Sequence, residues 1–583
     1  MSVTRTLVQH LATLRAVAPI LCALLPVSTM AAVAQAPDRV RLQLMWYHQA
    51  QFAGIYVALQ KGFYGREHIA AELIEGGPGI SPAEVLAKGE ADVALAWLPS
   101  AIDARVRGRE VVNIAQIFQR PGMAIACRRD AGVQSVDDVA DKVIGVWNVG
   151  DELDVRYWLK TINVPDDRVT TIEQKPDGQD LIDKRTACAT VMMYNEYWSI
   201  LRAGLTPSDL LDIRLADHGI GFLEDGLYAT ASSLQDERRR DMLARFLRAT
   251  LSGWRYAKEN VEETFSITMA QAPRAEPSHQ RRMLESVLQL VGDSTRIGLL
   301  ELPAYQHSVD VIASQTGNGV ALRAAAATGW THLLWREAQP NGQGLFALTE
   351  ATRYYLSETV RSRWFYALDL IGTAAFGFAG FMRAQQRRYD LWGALILTLL
   401  PAVGGGTLRD LLVGGDRYPP FIFNDPAYIY VVLATLTFGT LMSRFTAKTV
   451  GSRNFDRALS IFDTIGMATF TVIGAQVALM AGLNWPWIPF CAALTCAGGG
   501  MLLDVVTGRE PRTFQGEPYE EIAVLGGLLM LAGLAVADRF EHAPQLVTGT
   551  ILVTLVSVFA LRMLVVTYGL RSFRLGWSPG YKL

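Results

Sequence analysis

Two aspartates in the C-terminal part of the sequence each follow a glycine triplet inside an apolar stretch, at the same spacing of four residues. A carboxylate inside a membrane-spanning segment is costly unless it is paired or faces water, so such acids indicate a polar path. Three adjacent glycines lower the cost of leaving the helix, and we expect each triplet to kink or break its helix near mid-membrane. The two motifs consist of Gly404, Gly405, Gly406, Arg409 and Asp410, and of Gly498, Gly499, Gly500 and Asp504.

Helix packing is the alternative explanation for the glycines. Small residues let membrane helices approach each other closely, and that role requires no break. Packing alone does not account for an acid at the same position after each triplet. We therefore favour broken helices that line a cavity, the setting in which irregular backbone is tolerated at membrane depth.

The two motifs are halves of one internal repeat. Asp369 and Asp463, Gly404 and Gly498, and Asp410 and Asp504 are each 94 positions apart. This spacing predicts two copies of a membrane unit, in residues 365–450 and 458–540, with one more helix in residues 545–570. Because each copy has three apolar segments, an odd number, the second copy must lie inverted relative to the first.

Charge between the apolar segments predicts their orientation. Seven segments of about membrane length lie at 365–382, 391–412, 427–444, 458–480, 486–507, 521–537 and 545–568. Lys and Arg are concentrated in the first, third and fifth connections and in the C-terminal tail. The positive-inside rule puts these parts in the cytoplasm and residue 364 outside. We expect a multi-pass protein of the bacterial inner membrane, with apolar helices against lipid.

The N-terminal end has the features of a secretory signal. Arg5 and Arg15 lead into an apolar run, and Ala32-Val33-Ala34 has the small residues that a signal peptidase needs. We expect residues 1–34 to be a signal peptide, with an uncleaved anchor as the alternative. Export puts Cys127 and Cys188 in an oxidising compartment. They form either a disulfide or two buried thiols, and their spacing does not decide between these.

Residues 37–335 have the pattern of an α/β domain. Residues 40–44 alternate as a strand, a polar and aromatic turn follows, and a helix reaches Gly62. Further strands are predicted at 70–75 and 91–96, and the strand at 142–146 is expected to open a second lobe. Residues 336–363 predict a polar turn and a short juxtamembrane helix.

Side chains near the strand ends are candidates for holding a ligand, because ligands of α/β folds bind at the carboxyl ends of strands. Trp46 and Tyr47 can stack a flat ring, and His48 and Gln51 can form hydrogen bonds. The helix start behind them offers N–H groups to an anion. From the opposite lobe we expect three polar residues to face the cleft, Asn195, Glu196 and Asp225. The alternative is that the aromatic residues are core and the acids are solvated.

Other classes of function find little support. A formal net charge of −2 without a concentrated basic face argues against nucleic-acid binding. None of the 8 His lies at helical spacing from a cysteine, and no nucleophile-and-base arrangement stands out, so neither a metal site nor a hydrolase is indicated. Cys491 and Cys496 are expected to pack inside a membrane helix. We predict no cofactor, no metal ion and no enzymatic activity.

The first part of the chain resembles a family of periplasmic substrate-binding proteins. The residues that carry the resemblance are Leu44 to Tyr47, Gln51 to Ala58, Lys61 to Tyr64, Gly89 to Asp92 and Gly145-Val146. They are similar to the binding proteins for thiamine-pyrimidine precursors, taurine and nitrate, an SsuA-like group with the type 2 periplasmic binding fold. The resemblance covers most of residues 40–270. It implies two α/β lobes that close on a small organic ligand, such as a pyrimidine-like ring, and that usually feed an ABC transporter.

The second part resembles the bacterial TRIC (trimeric intracellular cation channel) family, also called the glycine transporter domain. The match rests on residues 369–376 and 404–410 and extends to about residue 570. It implies an all-α membrane domain of seven helices with an inverted three-plus-three repeat, a homotrimer, and a pore for monovalent cations, K⁺ or Na⁺, in each subunit. The second copy departs from the first at Leu503, which replaces Arg409 and leaves Asp504 without a neighbouring counter-charge.

Three hypotheses follow for the function. The leading one is a TRIC-like monovalent cation channel with a periplasmic small-molecule-binding domain fused to its outer face. The alternative is a carrier for a small solute such as glycine, fed by the binding domain. In the third, closure of the binding domain on its ligand biases the pore, which requires a different ligand affinity in the two pore states.

Overall fold

The computed structural model describes residues 36–147, 151–339, 348–446, 450, 452–508, 510, 516 and 518–572. The predicted signal peptide lies outside these residues, as does most of the polar turn predicted after residue 336. The described chain consists of an α/β part with two sheets, up to residue 339, and a helical part from residue 348 onward.

Two five-stranded sheets form the first part, one in each lobe. The strand order is β2-β1-β3-β10-β4 in the first lobe and β7-β6-β8-β5-β9 in the second. In each sheet one strand runs antiparallel to its neighbours: β10 in the first lobe and β5 in the second. The strands are β1 Asp38–Gln43, β2 Ile69–Ile74, β3 Val93–Ala96, β4 Val111–Gln116, β5 Met123–Arg128, β6 Val143–Val146, β7 Thr170–Glu173, β8 Cys188–Met192, β9 Leu210–Arg214 and β10 Gly226–Thr230.

The second lobe begins earlier than expected. The prediction that the strand at 142–146 opens this lobe is wrong, because β5 already pairs with β8 and β9. The chain crosses between the lobes twice, after β4 and before β10. Strand β5 was not among the strands predicted from the sequence: like β4 it is buried along its whole length, so it lacks the alternation that marks a half-buried strand.

Fourteen helices of the described chain cover or follow the two sheets. The longest, residues 237–259, starts at Asp236, whose carboxylate caps the helix by accepting from Arg239 N at 2.8 Å. The fourteen helices are α1 Ala53–Gln60, α2 Phe63–Arg66, α3 Pro82–Ala87, α4 Leu98–Val106, α5 Asp151–Thr161, α6 Gln179–Ile182, α7 Glu196–Arg202, α8 Ala231–Gln235, α9 Glu237–Glu259, α10 Val261–Gln271, α11 Pro277–Leu290, α12 Leu302–Gln315, α13 Gly319–Ala327 and α14 Leu333–Glu337.

Cys127 and Cys188 form a disulfide between neighbouring strands. They are direct partners in the β5–β8 ladder, and both side chains are fully buried. Of the two states left open by the sequence, the structure therefore has the cross-link. It ties together two strands of the second lobe that are separated by 61 residues in sequence.

The helical part starts with the expected short helix and continues with seven longer ones. Six of these seven are long and apolar enough to cross a membrane, and α19 contains a shorter apolar stretch, Ala427–Ser443. A single turn, α18, precedes α19. The helices are α15 Glu350–Arg361, α16 Arg363–Gln386, α17 Leu391–Val413, α18 Phe421–Asn424, α19 Ala427–Thr446, α20 Arg453–Met480, α21 Trp487–Val506, α22 Glu520–Ala537 and α23 Pro544–Tyr568.

Candidate functional site

The glycine triplets lie where helices α17 and α21 cross. The sequence predicted a kink or a break at each triplet. Both helices run through their triplets without interruption, so the predicted break is wrong. A Cβ on Gly404 would lie 3.2 Å from Gly499 Cα, and a Cβ on Gly498 would lie 3.2 Å from Gly405 Cα. The glycines therefore let the two backbones touch, which is the packing role that the sequence also allowed.

Contacts around this crossing are reciprocal between the two repeats. Gly372 packs against Phe470, and Gly466, its counterpart, packs against Phe376, the counterpart of Phe470. The two phenylalanine rings meet edge to face with centroids 5.2 Å apart. A set of contacts that exchanges partners in this way is what a two-fold relation between the repeats produces.

A cavity of about 330 Å³ lies on one side of the crossing. Its walls come from the C-terminal ends of α16 and α21, the first part of α20 and the start of α22. These helix ends adjoin the Arg-rich connections, and we name this space the inner cavity. Its lining includes six charged residues: Arg383, Arg387, Asp463, Asp504, Glu520 and Arg562.

Asp463 is the central charge of the inner cavity. Its Oδ1 accepts from Arg383 Nη2 at 2.7 Å, and its Oδ2 lies 4.0 Å from Arg562 Nη2. An acid at this depth is tolerated because it is paired with two cations. Neither arginine was predicted as a site residue, because they lie 80 and 99 positions from Asp463 in sequence and only the fold brings them to it.

A second cavity of about 200 Å³ lies at the opposite helix ends, and we name it the outer cavity. Asp369, the repeat counterpart of Asp463, lines it and accepts from Tyr428 Oη at 2.6 Å. Arg409 and Gly406 also line it, whereas Asp410 does not. Phe376 contributes to the inner cavity and Phe470 to the outer one, and their rings are in contact, so the phenylalanine pair lies between the two spaces.

Asp410 and Asp504 play unequal roles. Asp410 is fully buried and accepts from Arg409 Nη2 at 2.7 Å and from Phe421 N at 3.1 Å. It therefore fixes Arg409 and the turn α18 instead of facing a cavity. Asp504 lines the inner cavity, beside Leu503. The two acids therefore differ in position: Asp410 lies away from the cavities, and Asp504 lines the inner cavity.

The cleft between the lobes of the first part contains four of the predicted ligand residues. Trp46, Gln51, Asn195 and Glu196 line one narrow cavity of about 20 Å³. This is room for about one water molecule, so the cleft is closed and must open to admit an organic ligand. Residues that the sequence analysis did not select complete the lining: Met45, Gln49, Trp97, Trp147, Met192 and Tyr194. Trp97 and Trp147 follow the ends of β3 and β6, a position that could have identified them.

Three predicted residues lie outside this lining. Asp225 is buried behind it and accepts from Gln51 Nε2 at 2.8 Å and from Trp97 Nε1 at 3.1 Å. Tyr47 is about half exposed, and His48 Nδ1 is bonded to Tyr56 Oη at 2.9 Å. At the helix start, Ala50 N donates to Gln280 Oε1 at 2.7 Å, so that N–H group is not available to an anion.

Buried acids connect the cleft with the crossings between the lobes. Glu224 precedes β10 and accepts from Gly122 N, on the other crossing, at 2.9 Å and from Met123 N, at the start of β5, at 3.0 Å. Burial raises the pKa of Glu196 and of Glu224 to about 8, and that of Asp225 to about 6. Among the described residues, no group of three or more His, Cys, Asp or Glu is placed to hold a metal ion.

The raised pKa of Glu196 predicts a pH-dependent stability. Its pKa goes from an ordinary 4.5 to about 8 on folding, so the stabilisation is complete below pH 4.5 and is lost as the pH rises through 8. We expect the unfolding free energy to fall by up to about 1.4 kcal/mol per pH unit in this window. Thermal unfolding of the full chain, followed by tryptophan fluorescence at pH 5 and pH 8, measures this. Glu196→Gln should shrink the difference, and an equal difference in both proteins would contradict the assignment.

Comparisons with known proteins divide the chain at the same place. A family model described as NMT1/THI5 like matches residues 49–264, and one described as glycine transporter matches residues 366–444 and 460–535. A formylaminopyrimidine-binding protein of Halalkalibacterium halodurans is 20% identical over 243 residues, which are 41% of this chain and 73% of that protein.

The membrane half has the stronger sequence similarity. A UPF0126 membrane protein of Deinococcus radiodurans is 35% identical over 167 residues, which are 28% of this chain and 70% of that protein. A solved structure of the TRIC orthologue from Rhodobacter sphaeroides covers 36% of this chain and 100% of its own, with 28% identity and a TM-score of 0.31. The part of the chain in front of the membrane half is similar to NMT1/THI5-like proteins, and the chain belongs to the UPF0126 family of membrane proteins through its C-terminal half.

Proposed function

We propose that this membrane transport protein is a channel for monovalent cations whose path joins the outer and inner cavities of each subunit. The observation that carries the proposal is the pair of cavities with charged linings at opposite helix ends, with the contact between Phe376 and Phe470 lying between them. The reciprocal contacts of the repeats support an inverted repeat, in which each half supplies one cavity.

The charges of the inner cavity do not choose the permeant ion by themselves. Three acids and three arginines balance there, so the net field is small. The preference for K⁺ or Na⁺ rests on the resemblance of the glycine motifs to the TRIC family. We extend the resemblance to a homotrimer in the bacterial inner membrane. The distribution of Lys and Arg supports a periplasmic binding domain and a cytoplasmic C-terminus.

Planar bilayers that contain the purified full-length protein test the channel. We expect currents whose reversal potential in a KCl gradient lies closer to the equilibrium potential of K⁺ than to that of Cl⁻. If no current flows across a range of ions and voltages, the channel proposal fails.

Neutralising Asp463 should weaken the preference for cations. In Asp463→Asn, Arg383 and Arg562 lose their counter-charge and the inner cavity gains a net positive charge. Cations in a confined cavity are repelled by such a charge, and we expect the K⁺ conductance to fall roughly fivefold or more. Single-channel recording measures the change. Asp456→Asn, at an exposed position two turns earlier in α20, is the matched control, and an equal loss in both variants would refute the role of Asp463.

A carrier for a small solute is the second candidate, because the matching family model is described as glycine transporter. Uptake of labelled glycine into proteoliposomes separates the two. Saturation at low glycine concentration, lost when residues 37–335 are deleted, would favour the carrier, whereas ion current without saturable glycine uptake favours the channel.

We further propose that the cleft binds a small ring-containing molecule. Trp46, Trp97 and Trp147 supply flat apolar walls, and Gln51, Asn195 and Glu196 supply hydrogen bonds. The described lining of the cleft contains no Lys, Arg or His, which favours a neutral ligand such as an amino-substituted pyrimidine over an anion. Mass spectrometry of small molecules that co-purify with the protein tests this, and recovery of an organic anion would contradict it.

A further inference from the structure

The connection between helices α22 and α23 is bonded to the part of the chain that precedes the membrane. Asp538 Oδ1 accepts from Thr349 N, Thr349 Oγ1 and Thr352 Oγ1, each at 2.7 Å. Its other oxygen forms an ion pair with Arg336, on α14. Asp538 is therefore held by both sides of the segment that leads from the binding domain into α15.

Glu541 makes a second set of bonds three residues later. Its carboxylate accepts from Thr331 Oγ1 at 2.6 Å and from His332 N at 2.8 Å. The next residue, His542, donates from Nε2 to Trp330 O at 2.8 Å, and its ring lies 4.6 Å from the Trp330 ring. Both acids are buried, at 5% and 4% exposure, so these bonds are shielded from water.

The partners of Glu541 belong to the first lobe. Thr331 N donates to Asn113 O at 2.9 Å, and Asn113 N donates to Gly329 O at 2.8 Å, so residues 329–331 extend the sheet beside β4. Strand β4 is also the strand from which the chain crosses to the second lobe. The membrane half is thus bonded to the first lobe next to a crossing.

The second lobe is connected to the membrane half by other contacts, which are made through α12. Tyr157 Oη, on α5 of the second lobe, donates to Ile312 O at 2.8 Å. On the side of the membrane half, Tyr354 Oη of α15 donates to Gln306 Oε1 at 2.7 Å. Ile312 and Gln306 both lie on α12, and α15 is followed, after Ser362, by the first membrane helix, α16.

We propose that Asp538, Glu541 and His542 form a latch that fixes the first lobe to the membrane half, so that movement of the second lobe is passed through α12 and α15 to α16. The inference rests on the proposed channel function and names its regulation. A lobe that closes on a ligand shifts a pore only if the other lobe is anchored, because otherwise the domain moves as a whole and the two pore states bind the ligand equally.

The test locks the cleft without requiring the natural ligand. Gln49→Cys and Asn195→Cys place one cysteine on each lobe at the cleft, and a short bismaleimide joins them in the full-length protein. The same pair is built into a latch variant, Asp538→Asn with Glu541→Gln, which keeps the side-chain shapes. Arg539→Gln, an exposed position in the same connection, is the matched control.

We expect cross-linking to change the open probability at least threefold with the native latch and with Arg539→Gln, and by less than half of that factor in the latch variant. An equal change with and without the latch, or no change in any protein, would overturn the proposal. Hydrogen exchange of residues 350–362 in the same samples is the second measurement. If none of the proteins conducts, the channel proposal fails, and hydrogen exchange alone tests the latch. A change in exchange on cross-linking that requires the intact latch supports it, and an equal change without the latch contradicts it.

Discussion

Replacing Gly405 by leucine is expected to separate helices α17 and α21 and to abolish permeation. A Cβ at this position would overlap Thr495 O and would lie 2.9 Å from Leu494 O. Both are backbone atoms of a continuous helix and cannot give way by changing a rotamer. We expect the membrane half to lose roughly 3 kcal/mol or more of stability. Unfolding in detergent and current in bilayers measure the two effects.

Gly500 offers a matched control within the other triplet. A Cβ there would meet no atom within 4 Å, although Gly500 also lies in a glycine triplet and lines the inner cavity. Gly500→Ala should therefore keep the wild-type stability, and the binding domain should stay folded in both variants. If Gly405→Leu unfolds no more easily than Gly500→Ala, the close crossing is not what the triplets provide.

The repeat was readable from the sequence because it depends on residue types at a fixed offset. Phe376 and Phe470, 94 positions apart, were visible as counterparts, and the structure brings their rings together. The apolar segments also predicted the long helices to within a few residues at most ends, because length and hydropathy are local properties.

The helix break was predicted wrongly for a physical reason. Glycine makes departure from the helix cheaper, but inside a bilayer a freed N–H or C=O group has no water to bond. At Gly404 and Gly498 the backbone of the crossing helix is the close neighbour, and it stays hydrogen-bonded within its own helix. The packing gain keeps both helices continuous, and sequence spacing alone does not show which neighbour a glycine will meet.

The binding cleft was predictable only in part. Trp46 and Gln51 could be located because they follow the first strand, and Asn195 and Glu196 because they follow a strand of the other lobe. By residue type His48 was an equally plausible ligand residue, but its ring is hydrogen-bonded to Tyr56. That choice depends on a tertiary contact, and the pairing of Arg383 with Asp463 in the membrane half depends on one as well.

Removing either ring of the phenylalanine pair is expected to raise the single-channel conductance severalfold. Phe376 lines the inner cavity, Phe470 lines the outer one, and their centroids are 5.2 Å apart. We therefore expect the replacement of either ring by alanine to join the two spaces. An apolar constriction opposes ions because it cannot replace their hydration. The repeat relation adds a condition: Phe376→Ala and Phe470→Ala should have effects of similar size.

Phe378→Ala is the control that separates a barrier from simple loss of packing. Phe378 lies on the same helix, α16, and stacks on Phe462 with centroids 5.4 Å apart, but it lines neither cavity. Phe376 and Phe470 are buried, and each is expected to lose about 3–5 kcal/mol of stability as alanine. Phe378 is only partly buried and is expected to lose less, so unfolding is measured beside conductance in all three variants. A barrier predicts that only Phe376→Ala and Phe470→Ala conduct more. If Phe378→Ala raises the conductance equally, loosened packing explains the effect and the path does not run between the two rings.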